Sequence, residues 1–298
     1  MIHLLTGENT FELERQLKEL IASFDGDIER VDGEELSVES LPDLLSGATL
    51  FSSSRLVVMK DAGKNKPLWA TLGDWFEKGV SNDLVLVESH PDKRTKPYKW
   101  LEKNAEVTVC KELQPFEAVR WVQDEVKSRG LTPSRGLVEF FVDYVGTDQW
   151  RLDSELNKLV LSGKELSEDV IREVVEPTPQ ATSFELLDAA FRGQIKEMER
   201  LFETVSRDED PYMFFGLLAR QVYALALMQT GRGAREDDVA KATGVHPFVL
   251  RKVASLAHNM TGTSLKTVTS RLAELDANMK SRPVEPWTQM YSFLRSLA

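Results

Sequence analysis

Cysteine is almost absent from this 298-residue chain: Cys110 stands alone, which excludes an internal disulfide and any multi-cysteine metal site. The four histidines, His3, His90, His246 and His258, show no i, i+4 spacing and no cysteine neighbour, so no metal centre is expected. Long hydrophobic runs are missing too; none approaches the ~20 residues that a membrane span needs. The first residues, Met1-Ile2-His3-Leu4-Leu5-Thr6-Gly7, have no basic flank and no apolar stretch of signal-peptide length. A soluble, cytoplasmic protein is expected. Positive charge is in deficit, with 37 Lys and Arg against 48 Asp and Glu and a net charge of −11. A free-standing nucleic-acid binder carries the opposite balance. The deficit is uneven, −7 over residues 1–113, −5 over 114–178 and +1 over 179–298.

Catalytic motifs are equally sparse. A parallel sheet whose first strand ends in glycine before a helix is the usual place for a phosphate loop. Here that junction reads Thr6-Gly7-Glu8-Asn9-Thr10-Phe11-Glu12. It has one glycine, no lysine, and two carboxylates that would repel phosphate, where a P-loop needs several glycines and a Lys-Ser/Thr pair. The Gly-Lys pairs Gly63-Lys64-Asn65 and Gly163-Lys164-Glu165 lack the hydroxyl residue. Glu88 gives one strand an acidic tip, which alone is weak support for a Mg²⁺ site. Ser52-Ser53-Ser54 has no Gly-x-Ser-x-Gly context and reads as a polar turn. Asp208-Glu209-Asp210 and Glu236-Asp237-Asp238 each precede a helix, where negative charge complements the helix dipole. No catalytic residue, cofactor or metal is expected.

What the chain does contain is regular structure. At 42% hydrophobic residues it can bury real cores, and its length suggests about two domains on the ~150-residue prior, or three smaller ones. Over residues 1–113, short strands alternate with helices. Ile2–Leu5, Asp27–Val31, Leu56–Met59, Leu84–Val87 and Val107–Cys110 are the strands. Helices are predicted after Asn9 or Thr10, after Ser37, along Leu68, Leu72, Trp75 and Phe76, and over Tyr98–Lys103. That alternation predicts a parallel sheet covered on both faces. Residues 114–178 carry three amphipathic helices and a short fourth, and Pro177-Thr178-Pro179 is the linker candidate. Residues 179–298 are helical, and Tyr212 to Met228 is apolar nearly all round, the mark of a helix inside a bundle or a multi-chain assembly.

Three features invite a functional reading. Lys60, Lys64 and Lys66 follow one strand and Lys93, Arg94, Lys96 and Lys99 another, at the rim where open α/β sheets place their sites; solvated loops compete there with a DNA or partner contact. Residues 237–253 resemble a helix-turn-helix, but the second helix opens Pro247-Phe248-Val249-Leu250, which offers base edges no hydrogen bonds. Helix packing is the favoured reading. Leu50 and Phe51 are two bulky hydrophobes between Ser46-Gly47-Ala48-Thr49 and Ser52-Ser53-Ser54-Arg55, in a stretch that otherwise reads as surface turn. They are either a plug folded into the core or an anchor for another protein's pocket.

Six segments together resemble the delta subunits of bacterial DNA polymerase III clamp loaders: residues 4–11, 49–59, 92–96, 184–189, 217–221 and 244–248. The resemblance implies an AAA+-like (RecA-like) sheet domain without a P-loop over 1–113, a helical lid over 114–178 and a helical collar over 179–298. It implies a subunit without intrinsic catalysis that binds and opens the ring-shaped sliding clamp (beta), with Leu50 and Phe51 as the clamp-binding pair. It further implies gamma/tau and delta-prime partners at the collar, and primed DNA within the assembled loader. The delta-prime type normally carries zinc-binding cysteines, which Cys110 alone cannot supply. A helix-turn-helix DNA-binding protein and another AAA+-like assembly subunit are the competing classes.

Overall fold

A computed structural model describes residues 1–47, 54–231, 233–245, 247–281 and 284–297. Leu50, Phe51, Ser52, Ser53 and His246 therefore lie outside the described residues. Packing groups the chain into two compact units, residues 1–142 with 146–168, and residues 143–145 with 169–298.

The first unit is built on five parallel strands: β1 (Ile2–Thr6), β2 (Asp27–Asp32), β3 (Arg55–Lys60), β4 (Asp83–Glu88) and β5 (Glu106–Val109). Their spatial order is β2-β3-β4-β1-β5, with Leu4 opposite Leu86 and Val57 opposite Leu84. Side chains alternate between faces along each strand, and both faces are buried. Leu4, Val57, Met59, Leu84 and Leu86 pack with α2 (Leu41–Ser46), α3 (Lys66–Lys78) and α4 (Lys96–Asn104). Leu5, Leu56, Val58 and Val85 pack with Leu13 and Leu17 of α1 (Thr10–Ser23). The expected doubly covered parallel sheet is thus in place.

Along α3, Leu68, Leu72 and Phe76 are buried and Trp75 packs, partly buried, against the same cluster, joined by Trp69; the Trp69 indole donates to the Thr95 hydroxyl at 3.0 Å. One local expectation needs correction. Ser37 opens a short 3₁₀ turn, Val38–Ser40, without capping it by its side chain, and α2 starts only at Leu41.

Helices α5 (Pro115–Ser128), α6 (Arg135–Val145) and α7 (Gln149–Ser162) follow the sheet. Gln114 and Glu117 form a capping box at α5, Ser134 caps α6, and Asp148 caps α7, each satisfying amides that have no intrahelical partner. Apart from the last turn of α6, α5 to α7 group with the sheet. At the linker candidate Pro177-Thr178-Pro179, Thr178 donates its backbone N–H to the Tyr144 carbonyl at 2.9 Å and caps the following helix.

The second unit is helical: α8 (Glu168–Val174), α9 (Pro179–Phe191), α10 (Ile195–Asp208), α11 (Pro211–Thr230), α12 (Glu236–Thr243), α13 (Pro247–Asn259), α14 (Gly262–Ser281) and α15 (Pro286–Arg295). Leu186, Met198, Leu201, Phe214, Leu218, Leu225, Leu250, Val253, Met290 and Leu294 form its core. By length and composition α11 is apolar enough to cross a membrane, yet Phe214, Leu218, Val222 and Leu225 are buried in this bundle. Gln221, in the middle of the same helix, is buried and hydrogen-bonded to the Ser183 hydroxyl.

Candidate functional site

The junction between β1 and α1 is where a nucleotide-binding sheet would cradle phosphate. Here the chain's own groups occupy it. Gly7 has φ +128° and lies so close to the last strand that an added Cβ would come within 2.0 Å of the Cys110 carbonyl oxygen. On either side of it, Cys110 donates its N–H to the Thr6 carbonyl at 2.7 Å, and Asn9 donates its N–H to the Cys110 carbonyl at 3.2 Å. The Asn9 side chain accepts from the Glu12 N–H at 3.0 Å and so caps α1. Its amide nitrogen donates to the Lys111 carbonyl at 3.0 Å and to Gln149 at the start of α7. One residue on, the Trp150 indole donates to the Thr10 hydroxyl at 2.9 Å. Phe11 stands edge-on to Trp121 and Trp150, with centroids 5.4 and 5.0 Å away. Of the amides that could face an anion at a helix N-terminus, those of Asn9 and Glu12 are already bound, to the Cys110 carbonyl and the Asn9 side chain. Burial raises the Cys110 thiol to about 11, so it stays protonated and acts as a small apolar filler.

At the tip of β4, Glu88 is 3% exposed and accepts the Gly63 N–H at 3.0 Å. Burial is the largest influence and pushes its carboxyl from the ordinary 4.5 up to about 7; the nearby Asp61 adds to this, while the Gly63 and Ala62 amides and Lys64 oppose it. Because the folded pKa is raised, the folded chain holds this proton more tightly than the unfolded one. The stability it contributes is therefore complete below about 4.5 and is lost as pH rises through 7. The whole effect is at most ~3.5 kcal/mol at about 1.36 kcal/mol per pKa unit. Between pH 5 and 8, urea unfolding of Glu88→Gln should gain on the wild type by up to that amount. Parallel curves would show that Glu88 does not titrate in this range.

The basic clusters on this rim are largely neutralised at home. Lys60 pairs with Glu14 at 2.6 Å, Lys64 with both Glu34 and Asp61 at 3.3 Å, Arg94 with Asp92 at 2.9 Å, and Lys96 with Glu77 at 3.0 Å. Such exposed pairs add only ~0–1 kcal/mol each, but they reduce the positive field that a phosphate backbone would meet. The loops read as solvated surface.

Leu50 and Phe51 lie outside the described residues; hydrogen bonds hold the chain on both sides of that stretch. On one side, the Asn82 side chain donates to the Leu44 and Gly47 carbonyls at 2.8 and 3.1 Å. On the other, the Ser54 hydroxyl donates to the Asp25 carbonyl at 2.7 Å. Arg55 pairs with Glu29 and donates to the Asp43 carbonyl at 3.0 Å.

In the second unit, Gly244 ends α12 in the left-handed conformation (φ +73°), as the helix-turn-helix pattern suggested. The following helix turns inward: Val249, Leu250, Val253 and Ala257 are buried in the bundle core. Those positions are spent on packing, as favoured from the sequence. Helix α11 buries one side in the bundle and leaves another open. Tyr212, Met213 and Tyr223 are more than half exposed; Tyr212, Gly216, Tyr223 and Leu227 share one face at helical spacing.

The sequence reading missed the Asn9–Gln149 and Thr10–Trp150 contacts altogether. The available signal was a Gln-Trp pair directly after the helix cap Asp148, with a second tryptophan, Trp121, on the preceding amphipathic pattern.

Comparisons with known proteins bear on all of this. Residues 180–297 match the family described as DNA polymerase III delta subunit, C-terminal domain. The curated DNA polymerase III subunit delta of Bacillus subtilis (strain 168) is 22% identical over 214 residues, a stretch covering 69% of this chain and 61% of that relative. The match thus spans less than two thirds of the relative's length. Among solved structures, the Bacillus subtilis DNA clamp loader delta protein (YqeN) is alike over 99% of this chain and 94% of that one, with a TM-score of 0.54 at 19% identity. That likeness shows the fold alone, a parallel-sheet unit followed by helices. By its C-terminal family match, its curated relative and its fold, this chain resembles the delta subunit of DNA polymerase III.

Proposed function

We infer that this chain is a clamp-loader subunit that does not itself bind ATP, and that it binds and opens a ring-shaped sliding clamp for loading onto primed DNA. The single observation that carries the inference is the closed β1–α1 junction. A chain with the fold of a clamp loader delta protein fills its own phosphate position with Asn9, Gln149 and Trp150. Such a subunit acts by binding, without a reaction of its own. Leu50 and Phe51 are the clamp anchor in this reading. The three-part division into sheet domain, lid and collar describes its roles, with 114–178 as lid and 179–298 as collar. The open face of α11 around Tyr212 and Tyr223 suits a collar helix that meets neighbouring loader subunits, of the gamma/tau and delta-prime types. A cytoplasmic location follows from that role.

To open a ring, the subunit must hold the open form more tightly than the closed one, since a ligand shifts an equilibrium only by its differential affinity. The test is co-purification of the isolated chain with a bacterial sliding clamp in the absence of ATP, followed by release of that clamp from circular DNA. Stable capture and faster release support the inference. Failure of capture with both proteins folded overturns it. The helix-turn-helix alternative predicts instead that residues 179–298 bind DNA in a sequence-specific way, which the inward-facing α13 argues against.

A further inference from the structure

In a sheet of this type a bound nucleotide at the first strand's tip ties the following helix to whatever covers it. In this chain its own side chains supply substitutes for those ties. Asn9 and Gln149 are 8% and 4% exposed, a buried pair of neutral amides that hydrogen-bond each other across 140 residues of sequence. Each satisfies the other where water is excluded, and a buried amide left unpaired costs ~1–3 kcal/mol. Beside them, the Trp150 indole holds the Thr10 hydroxyl at 2.9 Å, and Phe11 is wedged edge-on between Trp121 of α5 and Trp150 of α7. All these residues belong to the first compact unit.

We propose that Asn9–Gln149 and Thr10–Trp150 form a built-in clasp that fixes α5 and α7 on the N-terminus of α1, giving the helical segment one position that nucleotide does not change. Gln149 and Trp150 are positioning residues in this scheme. Asn9 has two separable duties. Its side-chain oxygen caps α1 through the Glu12 N–H, whereas its amide nitrogen reaches Lys111 and Gln149. Ser is as good a helix cap as Asn but has no amide nitrogen to donate, and its shorter side chain does not reach Gln149. Asn9→Ser therefore cuts the clasp and spares the cap.

The experiment is hydrogen exchange on the full chain, without clamp, so its outcome is independent of the clamp-binding inference. In Asn9→Ser, exchange over residues 149–162 should rise about tenfold, the scale of one lost buried hydrogen bond, while β1 and β4 stay protected. Gln149→Leu should do the same, and combining the two should add nothing further at residues 149–162, because both remove the same bond to α7. Millimolar Mg-ATP should leave exchange of residues 7–16 and 149–162 unchanged in the wild type. The proposal is overturned if residues 149–162 exchange within twofold of wild type in a folded Asn9→Ser, if the two substitutions are additive there, or if Mg-ATP protects these segments. Should Asn9→Ser lose protection in β1 and β4 as well, Gln149→Leu alone decides between the same outcomes, since it leaves the α1 cap and the Lys111 contact in place.

Discussion

Alanine at both Leu50 and Phe51 should weaken binding of a sliding clamp by two to four orders of magnitude and leave the chain folded. Burial of each side chain in a partner's pocket is worth ~1.5–3 kcal/mol, so the pair supplies roughly 3–6 kcal/mol. With about 1.4 kcal/mol per factor of ten, that is the expected loss, and it is the size of an interface hot spot. Folding should survive because the elements on both sides carry their own bonds. Asn82 holds the chain at Leu44 and Gly47, and Arg55 starts β3 in register with Asp27 of β2. The check is paired: equilibrium binding to the clamp, and thermal unfolding of the same preparations. A double variant that still captures and releases the clamp like the wild type removes these residues from the interface. A large fall in melting temperature returns them to the alternative in which they plug the core.

The parts of this molecule that could be read from sequence are those whose cause is local. Leu84–Val87 is a β-branched apolar run with no helical alternative, and it is the core of β4. Asn9 could be named as a cap from its position one residue before a periodic apolar stretch, and its side chain does cap α1. The inward turn of α13 was legible because Phe248-Val249-Leu250 cannot bind base edges. What escaped depends on partners far away in the chain. Trp69 and Trp75 are equally plausible on a helical wheel; Thr95, 26 residues on, offers the indole of Trp69 a hydroxyl. The Pro177-Thr178-Pro179 segment has the composition of a linker, but the Tyr144 carbonyl, 34 residues earlier, fixes it. The clasp is the extreme case, since Asn9 and Gln149 are unremarkable polar residues until folding buries them together. Glu88 likewise looks like an acidic strand end, and only enclosure by the turn at Gly63 changes its chemistry.

Gly7→Ala should be the most damaging single substitution at this junction, and the reason separates it from a phosphate-loop glycine. A Cβ at this position would lie 2.0 Å from the Cys110 carbonyl oxygen, 2.7 Å from its carbon and 2.9 Å from its nitrogen. All three are backbone atoms of the segment that continues β5, so no side chain can swing aside. The φ of +128° adds a strain of ~1–3 kcal/mol for any residue with a Cβ. Relief requires moving the chain at Cys110 away, which breaks the Cys110-to-Thr6 and Asn9-to-Cys110 hydrogen bonds at ~1 kcal/mol each. Together these reach ~4 kcal/mol or more, against a total of ~5–15 kcal/mol for a typical domain. A fall of roughly 10 °C in melting temperature follows at about 2–4 °C per kcal/mol. Gly163→Ala is the control: its φ is +63° but nothing lies within 4 Å of the added Cβ, so only the conformational cost of ~1 kcal/mol applies. If both variants melt alike, close approach of β5 is not what requires glycine at position 7. If they differ as expected, glycine is required at position 7 because it lets the backbone after β1 meet the backbone after β5 with no room for a Cβ between them.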